Sequence, residues 1–474
     1  MDNTRIIPLG CLTLLTATLS LPTLAQDTIQ NSGKKVEKSL INIRLNKLEQ
    51  RIISLEDENS ELKKSLEQPY ISDSEPEMSA RLKAVESLAN SYRSAARTVE
   101  SLDGIETSVG FTMMAQSLSG SSNNTDELNY RADATVSLPV GSIGAAEGFF
   151  FSHFRMGQGL GLENPDTAFS SFNGTSFQRP GSETSDSTVL LAQAWYQLNI
   201  PLPLGGNPDL SKEHIELNIG KIDPFMFFDQ NAIADDETHG FINQSFVHNP
   251  LLDVGGDIGV DEFGFAPGIR AAWVNDTLNP AQYTVSMGIF GANNGASFED
   301  SLADPLVIMQ VDTKQNLFVG LEGNYRLYYW HNANAEDLIA NKQAHAGVGI
   351  SIDQKVDDYT TVYSRLGWQT QGQTKFDRTM TLGIDFGGSY WRRGGDAIGV
   401  SLGWLKLSDD YKTLAPSLVN FAASGSEQIA EIYYRYRING QLTLSPNLQM
   451  IRHAGGDQNA SMMSAYGLRA QINF

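Results

Sequence analysis

The sequence predicts an all-β transmembrane barrel of about 16 antiparallel strands, preceded by an α-helical coiled-coil stalk. Three observations predict it. From Gly104 to the end, apolar and polar residues alternate with period two. Between residues 34 and 68, apolar residues recur at spacings of four and three. The chain ends on Tyr466, Leu468, Ala470, Ile472 and Phe474, one unbroken apolar face closed by a terminal aromatic.

The first segment, 1–25, reads as a secretory signal peptide. Ile6 to Leu24 is largely apolar, Arg5 stands ahead of it, and Thr23-Leu24-Ala25 is a small-x-small end. Cys11 is the single cysteine of the 474 residues and lies inside this segment. Ile-Pro-Leu-Gly before it is a poor lipobox. The expected mature chain therefore has no disulfide framework and no thiolate chemistry. The net charge of −21 disfavours nucleic acid, whose binding needs clustered Lys and Arg. Beyond the signal no run of 18 apolar residues occurs, which argues against a transmembrane helix and leaves a barrel open.

The second segment, 34–68, carries Leu45, Ile52, Asn59 and Leu66 at heptad position a, and Ile41, Leu48, Leu55 and Leu62 at d. Arg44 with Glu49, Arg51 with Glu56, and Glu58 with Lys63 are opposite in sign at the g-to-e spacing of a parallel pairing. Asn59 at a core position sets register. A single amphipathic helix lying on a domain is the alternative, and the narrow stripe favours the coiled coil. Symmetry with a barrel trimer favours three strands, and Asn59 with Leu at most d positions leaves two open. At 1.5 Å per residue the helix extends on the order of 50 Å. Pro69 and Pro76 bracket a linker, 69–77. Met78, Leu82, Val85, Ala89, Tyr92, Ala96 and Val99 then continue the helical spacing through a second segment, 78–103.

The third segment, 104–474, is the barrel. Clear alternation runs through Leu128–Leu138, Leu317–Leu327 and Ala344–Ile352. The polar faces are rich in Gly and long charged side chains, so the apolar faces are expected to look outward to lipid. Closure also removes the exposed edges that so many strands would otherwise carry. Trp195, Trp273, Trp330, Trp368 and Trp404 fall in or beside these strands, where aromatic girdles would sit.

Catalytic signatures are missing. There is no Gly-x-Ser-x-Gly, His-Glu-x-x-His, Walker loop or strand-coupled Gly-x-Gly-x-x-Gly. Gly157-Gln-Gly-Leu-Gly161 has no helix behind it and reads as a turn. The seven His show no spacing that selects one. Asp253, Asp257, Asp261 and Glu262 among glycines suit a hard cation in type but not in spacing. No cofactor and no metal are expected.

The most informative stretch is Phe228–Phe246, FDQNAIADDETHGFINQSF. It lies in a connection of about 45 residues, Asp223 to Gly268, after the strand Ile215–Lys221; a connection this long is usually functional or disordered. Phe225, Phe227, Phe228, Phe241, Phe246 and Leu251 need a surface to pack on, which disfavours disorder. Asp235 is expected to cap a short helix with Asp236 and Glu237 in its first turn, and Phe241, Ile242 and Phe246 to anchor that helix on the barrel wall.

Several of these residues carry a family resemblance. Gly220-Lys-Ile-Asp-Pro224, the Asp-x-Asn-x-x-Ala-x-Asp-Glu core from Asp229 to Glu237, Phe241, Phe246-Val-His-Asn-Pro250 and Pro267-Gly268 resemble carbohydrate-selective porins of the OprB type. Glu431-Ile-Tyr-Tyr-Arg435, Leu444–Ile451 and Gly467–Phe474 fit the same pattern, so the resemblance spans most of 105–474. It implies a 16-stranded outer-membrane barrel, often trimeric, that passes sugars by diffusion. The stalk resembles variants with a periplasmic coiled coil, although no cell-wall-binding repeat is found ahead of it. The partners implied are outer-membrane lipid, the barrel assembly machinery, a homotrimer and a periplasmic or cell-wall contact.

The expected constriction segment contains Asp229, Asn231, Asp235, Asp236 and Glu237. Arg131, Glu216, Glu322, Arg326 and Arg469 oppose apolar strand faces and are the pore-lining candidates. A one-residue register slip would reverse each, and solvation near a pore mouth is the competing reading for each. Phe474 is the expected assembly signal. Three roles remain open: a sugar-preferring porin, a general or ion-selective porin, and a barrel that anchors the coiled coil.

Overall fold

The computed structural model describes residues 104–474, apart from 122–124, 163–167, 178–186, 205–210, 256, 262, 279–280 and 319. The expected signal peptide, coiled coil with Asn59, linker and second helical segment lie outside the described residues.

Sixteen strands follow one another: β1 Glu106–Ser119, β2 Asp126–Ile143, β3 Ala146–Gln158, β4 Thr188–Leu202, β5 Glu213–Ile222, β6 Ala266–Asn275, β7 Gln282–Phe290 and β8 Leu306–Phe318. The second half comprises β9 Leu321–Glu336, β10 Lys342–Lys355, β11 Thr360–Gln371, β12 Phe376–Gly387, β13 Ala397–Leu407, β14 Ser426–Arg437, β15 Leu442–Arg452 and β16 Met463–Asn473. Each strand pairs with its sequence neighbours, and β1 pairs antiparallel with β16 to close the barrel. Closure extends one residue further: Phe474 N donates to Val109 O at 2.8 Å and Val109 N to Phe474 O at 3.1 Å.

The period-two pattern sets the faces. In the β8–β9 pair, Met309 lies opposite Tyr329 and Val311 opposite Leu327, all exposed on the outside. The alternate pairs, Gln310 with Tyr328 and Asp312 with Arg326, are buried in the bore. The terminal strand follows suit, with Tyr466, Leu468 and Phe474 exposed. With lipid outside, this arrangement buries apolar surface while every ladder hydrogen bond stays within the closed sheet.

Two expectations need correction. Leu317–Leu327 is not one strand, because the chain turns at Gly320 (φ 76°) between β8 and β9. Phe318 pairs with Leu321 across that tight hairpin, and the β8–β9 register shifts between Gln315 and Phe318. The tryptophans do not form a common girdle either. Trp273 and Trp368 are exposed, whereas Trp195 and Trp330 are 1% and 0% exposed in the bore.

Those inward aromatics have a purpose in packing. Glycines on β10 make room for them: a Cβ on Gly347 would fall 2.1 Å from the Trp330 ring, and one on Gly349 would fall 2.2 Å from Tyr328. The rings lie flat on the wall and join a buried cluster that includes Phe172, Phe228, Phe241, Phe246 and Phe290. The inner wall is thus partly apolar, and the core of this barrel is its filled bore.

The four longest connections, 159–187, 223–265, 291–305 and 408–425, leave the same end of the barrel. The last of these carries the helix Asp409–Leu418, capped by Ser408. Shorter turns and both ends of the closed sheet occupy the opposite end.

Candidate functional site

Residues 223–265 form the expected long connection, which ends where β6 begins, two residues before Gly268. The connection folds into the bore, and its start is fixed by local chemistry. Asp223 accepts from Phe225 N at 3.0 Å and caps a 3-10 turn, Pro224–Met226, with Pro224 supplying the first φ. The expected cap at Asp235 does not form. Among the described residues the one α-helix of the connection is α1, Gln244–Val247, and its cap is Asn243, whose Oδ1 accepts from Ser245 N at 3.1 Å. Asp236 instead closes a turn, accepting from Thr238 N at 2.8 Å, while Gly240 N returns to the Asp236 carbonyl at 2.7 Å. A side-chain turn satisfies the same donors that a helix would and needs fewer residues.

Two predicted constriction residues are anchors. Asp229, at 0% exposure, accepts from Tyr328 Oη at 2.7 Å, Asn249 N at 2.5 Å and Arg365 Nε at 3.0 Å. Asn231 donates to Ser351 Oγ at 3.2 Å and Ile352 O at 3.3 Å and accepts from Ile233 N. Both hold the segment to β9–β11. The other three, Asp235, Asp236 and Glu237, line open space.

The wall grips the segment through its backbone. Glu431 accepts from Ile242 N and Asn243 N, each at 2.9 Å. Arg365 donates to Phe246 O and Asp229 O, each at 2.9 Å. Arg469 donates to the carbonyls of Glu237 at 2.7 Å and of His239 and Gly240 at 2.9 Å. Arg469 faces inward, and its guanidinium is spent on the segment. Arg326 is likewise inward and pairs with Asp353 at 2.8 Å. Glu216 pairs with Arg270 at 2.8 Å, and Arg270 also lies 4.4 Å over the Phe227 ring. Glu322 pairs with Lys314 at 2.8 Å beside the β8–β9 hairpin, away from the segment.

A second inward segment escaped the sequence reading. Part of 159–187 packs beside the first: Gly174 N donates to Ile242 O at 2.8 Å and Gln244 N to Ser171 O at 3.1 Å. Glu427 holds it by accepting from Phe169 N and Ser170 N at 2.9 Å, as Glu431 holds the first. Glu427 and Glu431 stand four residues apart on β14, hence on one face. Two acids inside an inward row that also holds Ile429 and Tyr433 were the available signal.

Between these segments and β2–β3 lies a cavity of roughly 680 Å³. Arg131, Arg155, Asp235, Asp236, Glu237 and His248 line it together with the rings of Phe177, Phe225 and Phe263. Arg131 meets Glu237 at 2.6 Å and Asp133 at 2.8 Å. His248 stacks on Phe225, with centroids 3.7 Å apart, and bonds Asp253 at 3.1 Å. Burial alone would lower the His248 imidazole, but Asp253 outweighs it and lifts it to about 9. Burial lifts the Asp223 carboxyl to about 6, against the pull of His248. Enclosure in the bore opposes ionisation of Asp236, yet His239 at 2.9 Å and Thr238 overcome it and hold it well below the usual carboxylate range.

Among the described residues the cation candidate does not assemble, and its Glu262 lies outside them. Asp253 bonds Gln244 and His248, Asp257 bonds His345, Trp330 and Gln369, and Asp261 bonds its own turn and Lys221. Among the described residues no group of three or more His, Cys, Asp or Glu could hold a metal ion.

The model of a family described as carbohydrate-selective porin, OprB family, matches residues 151–474. Porin B of Pseudomonas aeruginosa is 24% identical over 190 residues, 32% of this chain; the match spans 42% of that relative's length. A solved high-pH structure of Pseudomonas putida OprB superposes with a TM-score of 0.63 at 18% identity, covering 79% of this chain and 96% of that one. At that identity the likeness is one of fold.

Proposed function

The chain belongs to the OprB family of carbohydrate-selective porins, and on that premise we propose that it is an outer-membrane channel for passive diffusion of small hydrophilic solutes, carbohydrates above all. One observation carries the reading: the cavity in the bore sets guanidinium and carboxylate groups beside phenyl rings. Sugars present hydroxyls that pair with the first and apolar faces that rest on the second. Each contact is weak, as a conducting path requires. In this reading Asp235, Asp236, Glu237 and Arg131 meet the solute, and Asp229, Asn231 and Arg469 hold the segment that narrows the path.

The composition of the same cavity favours a second reading. Six carboxylates line it (Asp223, Asp235, Asp236, Glu237, Asp253 and Asp261) against Arg131, Arg155 and His248. Such an excess suits an ion-selective porin that prefers cations. Liposome swelling against neutral, acidic and basic sugars decides between the two. Swelling by neutral sugars at rates set by size supports the first reading. Exclusion of all sugars, with free passage of small cations, leaves the second.

The remaining assignments extend the proposal. Short turns face the periplasm in barrels of this class, so the ends of the closed sheet lie there, and the stalk expected at 34–103 is assigned to the periplasm in this proposal. Self-association of that stalk fits a homotrimer. Sedimentation of a 34–103 peptide tests it, and a monomer overturns it. Phe474 would serve as the signal read by the barrel assembly machinery.

A further inference from the structure

One neighbouring pair of strands differs from all the others. β1 and β16 stand at opposite ends of the strand sequence, whereas every other pair is consecutive. No hairpin ties this seam, so its closure carries the largest loop-closure cost in the barrel. The inner face of the seam is shaped to be crossed. Gly467 on β16 is bare where Met114 of β1 reaches over, and a Cβ there would fall 2.4 Å from Met114 Cε. Both inward segments have stretches bonded around this seam, 169–175 and 236–243.

Each stretch is held on both sides of the seam. In 169–175, Phe169 N and Ser170 N are held by Glu427 on β14. The Phe172 carbonyl accepts from Gln449 Nε2 on β15 at 2.9 Å and from Gln116 Nε2 on β1 at 3.0 Å. The Thr175 carbonyl accepts from Asn129 Nδ2 on β2 at 3.0 Å. In 236–243, Glu431 on β14 holds Ile242 N and Asn243 N, and Arg469 on β16 holds the carbonyls of 237, 239 and 240. Asn473 Nδ2, also on β16, donates to His239 Nε2 at 3.0 Å. Glu237 then reaches Arg131 on β2 at 2.6 Å. Gln449 joins the two stretches, because its Oε1 accepts from Asn243 Nδ2 at 3.1 Å. Gln116, Asn129 and Gln449 are buried, so breaking these bonds leaves polar groups unmet.

We propose that 169–175 and 236–243 are straps across the seam, which make closure of β1 on β16 and narrowing of the bore one cooperative event. β1 cannot leave β16 without breaking the Gln116 bond or pulling 169–175 off Gln449 and Glu427. In the other direction, each strap gains its far anchors only once the first and last strands stand side by side. The constriction therefore takes its shape only in a closed barrel. The proposal holds whichever solute passes.

The test is hydrogen exchange, read by mass spectrometry on the full chain in detergent. Gln116→Met removes the β1 bond of one strap, and Asn473→Ala removes a β16 bond of the other. Gln310→Met is the control. Its Oε1 accepts from Asp229 N at 2.9 Å, an inward bond of the same kind on β8, halfway round the barrel from the seam. Exchange should rise about fivefold in both β1 and β16 in each seam variant, the factor for one hydrogen bond of roughly 1 kcal/mol. β8 and β9 should keep wild-type rates in those variants, and β1 and β16 should keep them in Gln310→Met. An increase confined to the straps overturns the proposal. So does an equal increase in β8 and β9, or faster seam exchange in Gln310→Met. Heat-dependent gel mobility reports closure. A Gln116→Met chain that fails to close supports the proposal if Gln310→Met closes, and overturns it if neither closes.

Discussion

Glu431→Gln should loosen the inner segment while leaving the barrel closed. In the wild type both carboxylate oxygens accept from consecutive backbone N–H groups, Ile242 and Asn243, at 2.9 Å each. Glutamine keeps one acceptor and turns an NH2 group toward the other N–H. One charge-assisted bond is lost, about 1.5–3 kcal/mol, with a buried donor left unmet. By the Boltzmann relation of about 1.4 kcal/mol per factor of ten, the ratio of docked to released segment falls roughly 10- to 150-fold. Glu431 Oε1 also accepts from Asn447 Nδ2 on β15 at 3.3 Å, but the flanking ladders keep their register through the backbone pairing of residue 431 with Ser401 and Gln449. The assay is proteolysis of barrels in detergent, with cleavage mapped to 223–265, alongside single-channel recording. Faster cleavage in that window and added current noise are expected, with unchanged heat-dependent mobility. Cleavage and noise within about twofold of wild type, where a factor of ten or more is expected, would refute the anchoring argument.

The cavity should titrate in two steps. His248, lifted from 6.5 to about 9, stabilises docking fully below pH 6.5 and loses that contribution as pH rises through 9, so cleavage at 223–265 should increase across that window. Asp223, lifted from 3.8 to about 6, gains its charge as pH rises through about 6, so the cation-to-anion permeability ratio from reversal potentials should rise with it. Gly220→Ala should reduce the yield of folded barrel severely, because Gly220 holds φ 149° and a Cβ would fall 2.2 Å from Ala194 O; normal yield in the membrane fraction would contradict this. Deleting Phe474 removes two closing hydrogen bonds with Val109 and should lower assembled barrel on unheated gels without changing conductance of what assembles.

The barrel was legible because its determinants are local. Alternation with period two marks strands, glycine and polar clusters mark turns, and the terminal face from Tyr466 to Phe474 needs no distant partner to be recognised. The segment was legible as an anomaly of length and of unspent phenylalanines. Its internal division was not. Asp229 and Asp235 look alike in sequence, and Arg365 reaches both, Asp229 at 3.0 Å and Asp235 at 3.8 Å; what separates them is Tyr328, 99 positions from Asp229, and the Asn249 N–H. Glu427, Glu431 and Arg365 carry no sign of their anchoring role in the sequence for the same reason, since the backbone groups they satisfy belong to segments with no pairing signal. The expected cap at Asp235 failed because a two-residue side-chain turn at Asp236 competes with a helix for the same N–H groups. Trp195 and Trp330 were misplaced because alternation assigns a face only when the opposite face is known to be polar, and this bore is not.

That filled bore bears on how selectivity arises. A segment held only at its ends would sample many widths, and its side chains would select by average charge. Here Glu431, Arg365 and Arg469 bind backbone atoms at 242–243, 229 and 246, and 237–240. Phe228, Phe241 and Phe246 are buried on the same side. Pinning the backbone on one side leaves the other to present Asp235, Asp236 and Glu237 at set positions across from Arg131. Each anchor spends a charge that would otherwise face the solute, so the acidic core motif serves two ends. Under the proposed function, Asp229 supplies the rigidity that would let the later acids in the motif discriminate, and exchanging their environments would forfeit both.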